Sequence, residues 1–315
     1  MKQILVSGSS AYDNIHHFDW NFSSLTIQEL SNISLITEQY TRNHGGTWAN
    51  IAYNLALLWE SAILLSSIWD DFTFSDLIRE KINLSYVHRQ EMSHSAHSVI
   101  ISDNKDNRMT FFHPWAMQYG SSSKIEYVRE TCSIWIISAN HIPTMLEHAK
   151  GMQQKKIPCF LDPSQQITQM TAEELKDFLN HWDYLIANEY EFQQILEKTS
   201  FTQDDITTKF KTVIVTLWNT WLDLYHNWDK SYISAISVDD FEDTTWAWDA
   251  LRAGILYWLT EWHDIETACK LGTVLASYSI LSSGSQQHHF WLWNVMEDLK
   301  THFDIDIDLF SKRKY

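Results

Sequence analysis

The segment from residue 243 to residue 254 carries the side chains that could do chemistry. It reads Asp-Thr-Thr-Trp-Ala-Trp-Asp-Ala-Leu-Arg-Ala-Gly and leads into a run that favours a helix. A helix N-terminus presents N–H groups and the positive end of the helix dipole, an arrangement that binds anions. Asp249, in the same turn, could take a proton from an attacking hydroxyl, so the segment indicates phosphoryl transfer. The alternative is that Asp249 only caps the first helical turn.

Trp246 and Trp248 stand where backbone N–H groups should approach a phosphate, and Trp is unusual throughout the chain. The sequence has 16 Trp and 8 Gly. Together they fill 24 of 315 positions, close to the roughly 7% that Gly alone fills in an average protein. Several Trp fall where Gly is expected, after an Asn in a hairpin turn, after helical runs or in a loop after a strand: Trp228, Trp59, Trp262, Trp218 and Trp221.

We therefore hypothesise that many or all of these Trp are Gly in the organism. Some bacteria read the stop codon UGA as Gly, whereas common translation tables read it as stop or Trp. The alternative is a genuinely Trp-rich protein whose indole rings are platforms for sugars or bases. The positions of the Trp argue against that alternative, because they fall in turns and at helix ends rather than on one face of an element.

With Gly at positions 246 and 248, the turn resembles the C-terminal signature of the ribokinase-like (PfkB) carbohydrate and nucleoside kinases. The run Asn43-His44-Gly45-Gly46-Thr47-Trp48-Ala49-Asn50 resembles the N-terminal signature of that family. The resemblance implies that Gly45, Gly46 and Asn50 contact the hydroxyl-bearing substrate. It also implies that Asp13, just after the first strand, holds two sugar hydroxyls. The alternative for Asp13 is a turn-forming residue at a strand end.

Further motifs extend the resemblance over nearly the whole chain. Asn188-Glu189-Tyr190-Glu191 resembles the family's Asn-x-x-Glu motif. This implies that Glu191 organises Mg²⁺ through water, which suits a hard cation, whereas the pair alone would indicate a solvated helix face. Residues 215–221 resemble the Thr-x-Gly-x-x-Gly loop over the nucleotide phosphates, with Trp at both Gly positions. The implied ATP contacts are Asn188, Thr216, Trp218, Trp221, Thr245 and, on a weaker match, Gly284.

The implied reaction is the ATP-dependent transfer of a γ-phosphoryl group to a hydroxyl of a sugar or nucleoside, of the adenosine or ribose type. Asp249 is the implied base, and the turn formed by Trp246, Ala247, Trp248 and Asp249 is the implied anion hole. The motif sequences of this chain are most similar to those of bacterial adenosine-kinase-like members. Ribokinase and fructokinase are close alternatives. If Trp246 and Trp248 are genuine, an impaired pseudokinase that binds a small ligand is expected instead. A sugar-binding module that does not use ATP is a third hypothesis.

The elements that must position these residues alternate along the chain. Short apolar strands such as residues 4–7 and 62–68 are separated by helical segments, which predicts an α/β fold with a mostly parallel sheet and helices on both faces. The resemblance makes this the ribokinase-like three-layer sandwich, as a single domain over residues 1–315. Segments near residues 14–43 and 94–113 break the alternation and predict a small β lid.

Composition excludes several classes of protein. The net charge of −17 disfavours nonspecific binding to nucleic acid. The sequence has no run of about 18 apolar residues, so no membrane span is expected, and the N-terminus lacks the apolar region of a signal peptide. Cys132, Cys159 and Cys269 have no metal-binding spacing and indicate reduced thiols in a cytoplasmic protein. A homodimer and a need for a monovalent cation are left open.

Overall fold

The structure, a computed structural model, describes residues 3–22, 34, 36–91, 94–105, 107–180, 183–217, 221–239, 241–242, 244, 246–260 and 264–310. Within these ranges, nine strands form one large sheet. They are β1 (Gln3–Ser7), β4 (Ala62–Ile68), β5 (Val87–Arg89), β8 (Cys132–Ile137), β9 (Cys159–Leu161), β10 (Tyr184–Asn188), β11 (Thr212–Leu217), β12 (Trp221–His226) and β13 (Asp229–Ser234). Their order is β13-β12-β11-β10-β9-β8-β1-β4-β5, and only β12 and β13 run antiparallel to their neighbours.

Helices cover both faces of the large sheet. They are α1 (Thr47–Leu57), α2 (Asp76–Lys81), α3 (Ile142–Lys155), α4 (Ala172–Phe178), α5 (Glu189–Thr199), α6 (Gln203–Lys209), α7 (Ala247–Leu259), α8 (Ile265–Ser279) and α9 (Leu292–Phe303). One core lies between the sheet and α1, α7, α8 and α9, and the other lies between the sheet and α3 to α6.

The strand sequences explain why the sheet is buried on both faces. In β1, Ile4 and Val6 belong to the first core and Leu5 to the second, because successive side chains of a strand point to opposite faces. All seven residues of β4 are buried. Such continuous buried runs, mostly apolar, are typical of parallel strands covered by helices on both sides. The predicted three-layer arrangement therefore follows from these runs.

A second, smaller sheet stands apart from the large one. Its strands are β2 (Ala11–His17), β3 (Gln39–Gly45), β6 (Ala96–Ser102) and β7 (Arg108–His113), in the order β3-β2-β6-β7. The outer pairs are antiparallel, whereas β2 and β6 are parallel. Three residues separate the end of β1 from the start of β2. The chain therefore passes from the large sheet into the small one beside the carboxyl edge of the large sheet.

Several Trp adopt a backbone conformation that suits Gly. Among the described residues, Trp59, Trp115, Trp221 and Trp228 have φ values of 60°, 34°, 106° and 76°. A Cβ atom in the left-handed region costs roughly 1–2 kcal/mol. Trp59 directly follows the C-cap of α1, the position where Gly is most common. These angles support the hypothesis that Trp stands in place of Gly.

Buried indole nitrogens give independent support. The Nε1 atoms of Trp48, Trp69, Trp115 and Trp246 are buried and have no hydrogen-bond partner among the residues that the structure describes. A buried donor without a partner costs about 1–3 kcal/mol, and buried Trp usually finds a partner for its N–H. Gly has no side-chain donor, so this cost would vanish if these positions held Gly.

We expect Trp228→Gly to stabilise the protein. Asn227 and Trp228 join β12 to β13 with φ values of 51° and 76°, and the Trp228 side chain is 79% exposed. The substitution removes Cβ strain without opening the core, so the free energy of unfolding should rise by about 1 kcal/mol in urea titrations. Trp293→Gly, in helix α9, is the matched exposed control and should lower it by about 0.5 kcal/mol. Equal losses from both variants would contradict the interpretation.

Candidate active site

The sequence-predicted residues meet at a cavity of about 420 Å³ beside the carboxyl edge of the large sheet. Parallel strands deliver their following loops to the same edge, which is why motifs far apart in sequence come together. The predicted residues that line the cavity are Asp13, Gly46, Asn50, Asn188, Glu191, Thr216, Trp246, Trp248 and Asp249. The predicted contacts Trp218 and Thr245 lie outside the described residues.

Asp249 lies in the first turn of α7 and is only 7% exposed. Its Oδ2 atom accepts a hydrogen bond of 2.9 Å from Asn50 Nδ2, and Gln286 Nε2 donates to Asn50 Oδ1 at 3.1 Å. Burial raises the pKa of Asp249 to about 7, against the opposing effects of Arg252 and the Asn50 hydrogen bond. A carboxylate held in one orientation with a pKa near neutrality is suited to general base catalysis.

The turn before Asp249 is occupied by large side chains. The N–H of Ala247 donates to Thr244 O at 3.3 Å, and the N–H of Asp249 donates to Trp246 O at 3.2 Å. Trp246 and Trp248 both line the cavity, and the Trp248 ring stacks on the Trp221 ring with centroids 4.8 Å apart. Trp246 and Trp248 therefore border the cavity at the turn that an anion would need to approach.

The other end of the cavity is built around Asp13. This residue is 8% exposed, and Ser98 Oγ donates a hydrogen bond to its Oδ1 atom. A Cβ atom at Gly45 would collide with the Asp13 carboxylate. Gly46 has φ of 87°, and a Cβ atom there would collide with Ser9 O. The Gly-Gly pair thus lets β3 turn into α1 while the Asp13 carboxylate faces the cavity.

Asn188 and Glu191 lie on the opposite side, at the start of α5. The Asn188 side chain accepts from the Glu191 N–H at 2.8 Å, and Glu191 Oε2 accepts from the Asn188 N–H at 2.9 Å. This capping box fixes both side chains at the cavity wall. Burial raises the pKa of Glu191, while the hydrogen bond from Asn188 lowers it.

Two predicted nucleotide contacts do not line the cavity. Trp221 is connected to the cavity through the stacking of its ring on Trp248. The Nε1 atom of Trp221 donates a hydrogen bond to Thr273 Oγ1 at 2.7 Å. Gly284 has φ of 84° and lies against Asn43. The next residue, Ser285, donates to His44 O, so this late turn supports the Gly-Gly segment.

The sequence reasoning missed a buried ion pair beside Asp249. Arg252, 7% exposed, donates from Nη2 to Asp162 Oδ1 at 2.7 Å, and its Nε atom lies 2.6 Å from Asp162 Oδ2. Helix α7 carries only two charged residues, Asp249 and Arg252, separated by three positions. That spacing places both side chains on one helix face. It was the signal in the sequence that could have indicated a cation beside Asp249. The positive charge of Arg252 opposes the rise in the pKa of Asp249 that burial causes.

Comparison with known proteins identifies this arrangement. Residues 7–290 match the pfkB family carbohydrate kinase. The chain belongs to the pfkB family. A nucleoside kinase of Methanocaldococcus jannaschii is 27% identical over 308 residues, which are 96% of this chain and 98% of the relative. The predicted family is therefore confirmed, and the protein is a carbohydrate or nucleoside kinase.

Solved structures confirm the predicted ribokinase-like fold. The nucleoside kinase of Methanocaldococcus jannaschii, an archaeal member of the ribokinase family, superposes with a TM-score of 0.85 at 26% identity, covering 96% of this chain and 99% of the other. The nucleoside kinase of Burkholderia thailandensis, in complex with ADP and inosine, gives 0.84 at 25% identity, covering 96% and 97%. None of the described helices is both long enough and apolar enough to cross a bilayer.

Proposed function

We propose that this pfkB-family kinase transfers the γ-phosphoryl group of ATP to a hydroxyl of a nucleoside, with Asp249 as the base. The observation that carries the proposal is that Asp249, buried and held by Asn50, lines the same cavity as Asp13 and Asn188. The match to nucleoside kinases over nearly the whole chain favours a nucleoside over a free sugar such as ribose.

The two sides of the cavity suit the two substrates. Asp13, Gly46 and Asn50 offer a carboxylate, close backbone approach and an amide to the hydroxyls of an acceptor. Asn188, Glu191 and Thr216 face the donor phosphates, and Thr216 lies at the end of β11. The reacting hydroxyl and the γ-phosphate would therefore meet beside the Asp249 carboxylate, which is the requirement for in-line transfer.

Each part of the site has its own role in the transfer reaction. Asp249 accepts the proton of the attacking hydroxyl as the oxygen approaches phosphorus. The N–H groups of Ala247 and Asp249 are bonded within the turn, so the turn stabilises charge on the transferred group through the N–H groups of residues 246 and 248. The small sheet, which carries Asp13, excludes water from the acceptor and so limits ATP hydrolysis. Because Asp249 has a pKa of about 7, it can take the proton and release it again near neutral pH.

Glu191 and Asn188 fit a magnesium ion held through water. The Glu191 carboxylate is 9% exposed and lines the cavity beside Asn188, so hard oxygen ligands face the donor site. Bound with ATP, Mg²⁺ supplies neutralisation of phosphate charge. The capping box keeps the Glu191 carboxylate in place before the nucleotide arrives. We place the reaction in the cytoplasm, where ATP is available.

A second candidate function has one specific observation in its favour. Trp246 and Trp248 both line the cavity. If both residues are genuine, they displace the γ-phosphate, and the chain is a pseudokinase that binds a small ligand.

Turnover of ATP with a panel of nucleosides and sugars tests the proposal. The assay compares the chain as written with a variant carrying Gly at all 16 Trp positions, and follows phosphorylated acceptor by mass spectrometry. We expect acceptor-dependent product from the variant, and at least about 10²-fold less from the chain as written. Equal, negligible turnover from both proteins would exclude a kinase.

A further inference from the structure

One face of the small sheet forms the roof of the cavity. Alternate residues of a strand share a face, and the register aligns Asp13 with Ser98 and Ser98 with Phe112. The same register aligns Ile100 with Thr110, and Ser102 with Arg108. The side chains of this face that line the cavity are Asp13, Ser98, Ile100, Phe112, Thr110 and Arg108.

The roof therefore presents three successive rows to an acceptor. The first row holds Asp13, Ser98 and Phe112, the second Ile100 and Thr110, and the third Arg108. Rows two residues apart are separated by about 7 Å along the strand. A ribose held at Asp13 would lie beneath the first row. A base attached to that ribose and aligned with the strands would lie beneath Ile100, with its far edge toward Arg108.

The chemistry of the rows changes from polar to apolar to cationic. Phe112, Ile100 and Met117, which all line the cavity, offer apolar contacts that suit the face of a base. Arg108 follows with a planar guanidinium group, which can donate two parallel hydrogen bonds. A sugar phosphate would also satisfy the guanidinium, but it would place its hydroxyl groups against the apolar row.

We propose that Arg108 is a specificity-determining residue that selects 6-oxopurine nucleosides as acceptors. The inference rests on the proposed kinase function and names its acceptor class. A 6-oxopurine presents two adjacent acceptors, O6 and N7, which match the guanidinium fork. Adenine presents an amino group in place of O6, so the amino group and the Arg108 guanidinium, both hydrogen-bond donors, would face each other. A pyrimidine nucleoside is shorter and ends beneath the second row.

Equilibrium binding tests the inference without requiring turnover. Calorimetry on the full chain measures dissociation constants for inosine, adenosine and fructose 6-phosphate. We expect inosine to bind about tenfold more tightly than adenosine, within the range for one bidentate pair. Arg108→Leu should reduce that ratio to below about two, because Leu offers no donors to O6 and N7.

Control variants separate this role from a structural one. Arg89→Leu, on the edge strand β5 where Arg89 pairs with Asp70 at 3.5 Å, should leave the inosine-to-adenosine ratio unchanged. If Arg108→Leu fails to fold, Arg108→Gln replaces it, with an intermediate ratio expected. An unchanged ratio in the Arg108 variant, tighter binding of adenosine, or tighter binding of fructose 6-phosphate overturns the inference.

The binding data also distinguish this inference from the proposed function. Selective inosine binding by a Gly-restored chain that never forms a phosphorylated product would support the role of Arg108 and contradict the kinase proposal. A phosphorylated sugar formed by a chain that binds no nucleoside would support phosphoryl transfer and contradict the role of Arg108.

Discussion

Replacement of Asp249 by Asn lowers the turnover of the Gly-restored chain by about 10²–10⁴-fold, the range for loss of a general base. The change is nearly isosteric, so the hydrogen bond from Asn50 Nδ2 can still find an oxygen acceptor at position 249. The loss then falls on kcat rather than on KM. In the parent protein, kcat should decline as the pH falls below about 7, because the pKa of Asp249 is about 7 and its protonated form cannot accept the proton.

The same substitution should stabilise the fold, which gives a readout independent of activity. The pKa of Asp249 is raised from 3.8 to about 7, so its protonated form favours the native state. That contribution is fully present below pH 4 and is lost as the pH rises through 7. At 1.36 kcal/mol per pH unit, we expect Asp249→Asn to raise the free energy of unfolding by about 2–4 kcal/mol at pH 8, and by less at pH 5. A loss of stability at pH 8, or unchanged turnover, would contradict the assigned role.

Changing Trp246 and Trp248 together to Gly raises turnover by at least about 10²-fold, because removal of even one oxyanion-hole donor costs 10²–10³ in kcat. Both residues line the cavity, so the change removes two large side chains from the 246–249 turn. Trp221 loses its stacking partner but remains held by its hydrogen bond to Thr273. Product formed per minute from ATP and a nucleoside measures the gain.

A matched pair separates local from general effects. Trp59→Gly with Trp228→Gly relieves two positive-φ positions that do not line the cavity, and both side chains are exposed. This pair should increase stability and leave kcat within about twofold, since neither residue contacts the substrates. An equal gain in turnover from the two pairs would mean that Trp impairs folding rather than the site.

Local patterns made much of the fold and of the site predictable. The apolar run at Ile4 to Val6 and the Gly-Gly pair before α1 each fix backbone geometry from a few neighbouring residues. Parallel topology then brings those segments to one sheet edge. Asp13, Asn50 and Asp249 meet at the cavity for this reason, although about three-quarters of the chain separates Asp13 from Asp249.

The remaining features depend on long-range packing. The Arg252–Asp162 pair joins residues 90 positions apart, and nothing in either local segment specifies the partner. The roof of the cavity depends on the register of β6 and β7, because a slip of one residue would turn Arg108 away from the cavity. Gly284 was predicted to approach the nucleotide, but its position depends on contact with Asn43.

The central claim is that the 246–249 turn presents backbone N–H groups to a phosphate. Peptide mass spectrometry across residues 240–258 of the protein from its native host tests this claim directly. We predict Gly at positions 246 and 248, which would give the turn the open backbone that phosphoryl transfer requires. Trp at both positions would contradict the claim and would favour a ligand-binding protein that does not transfer phosphate.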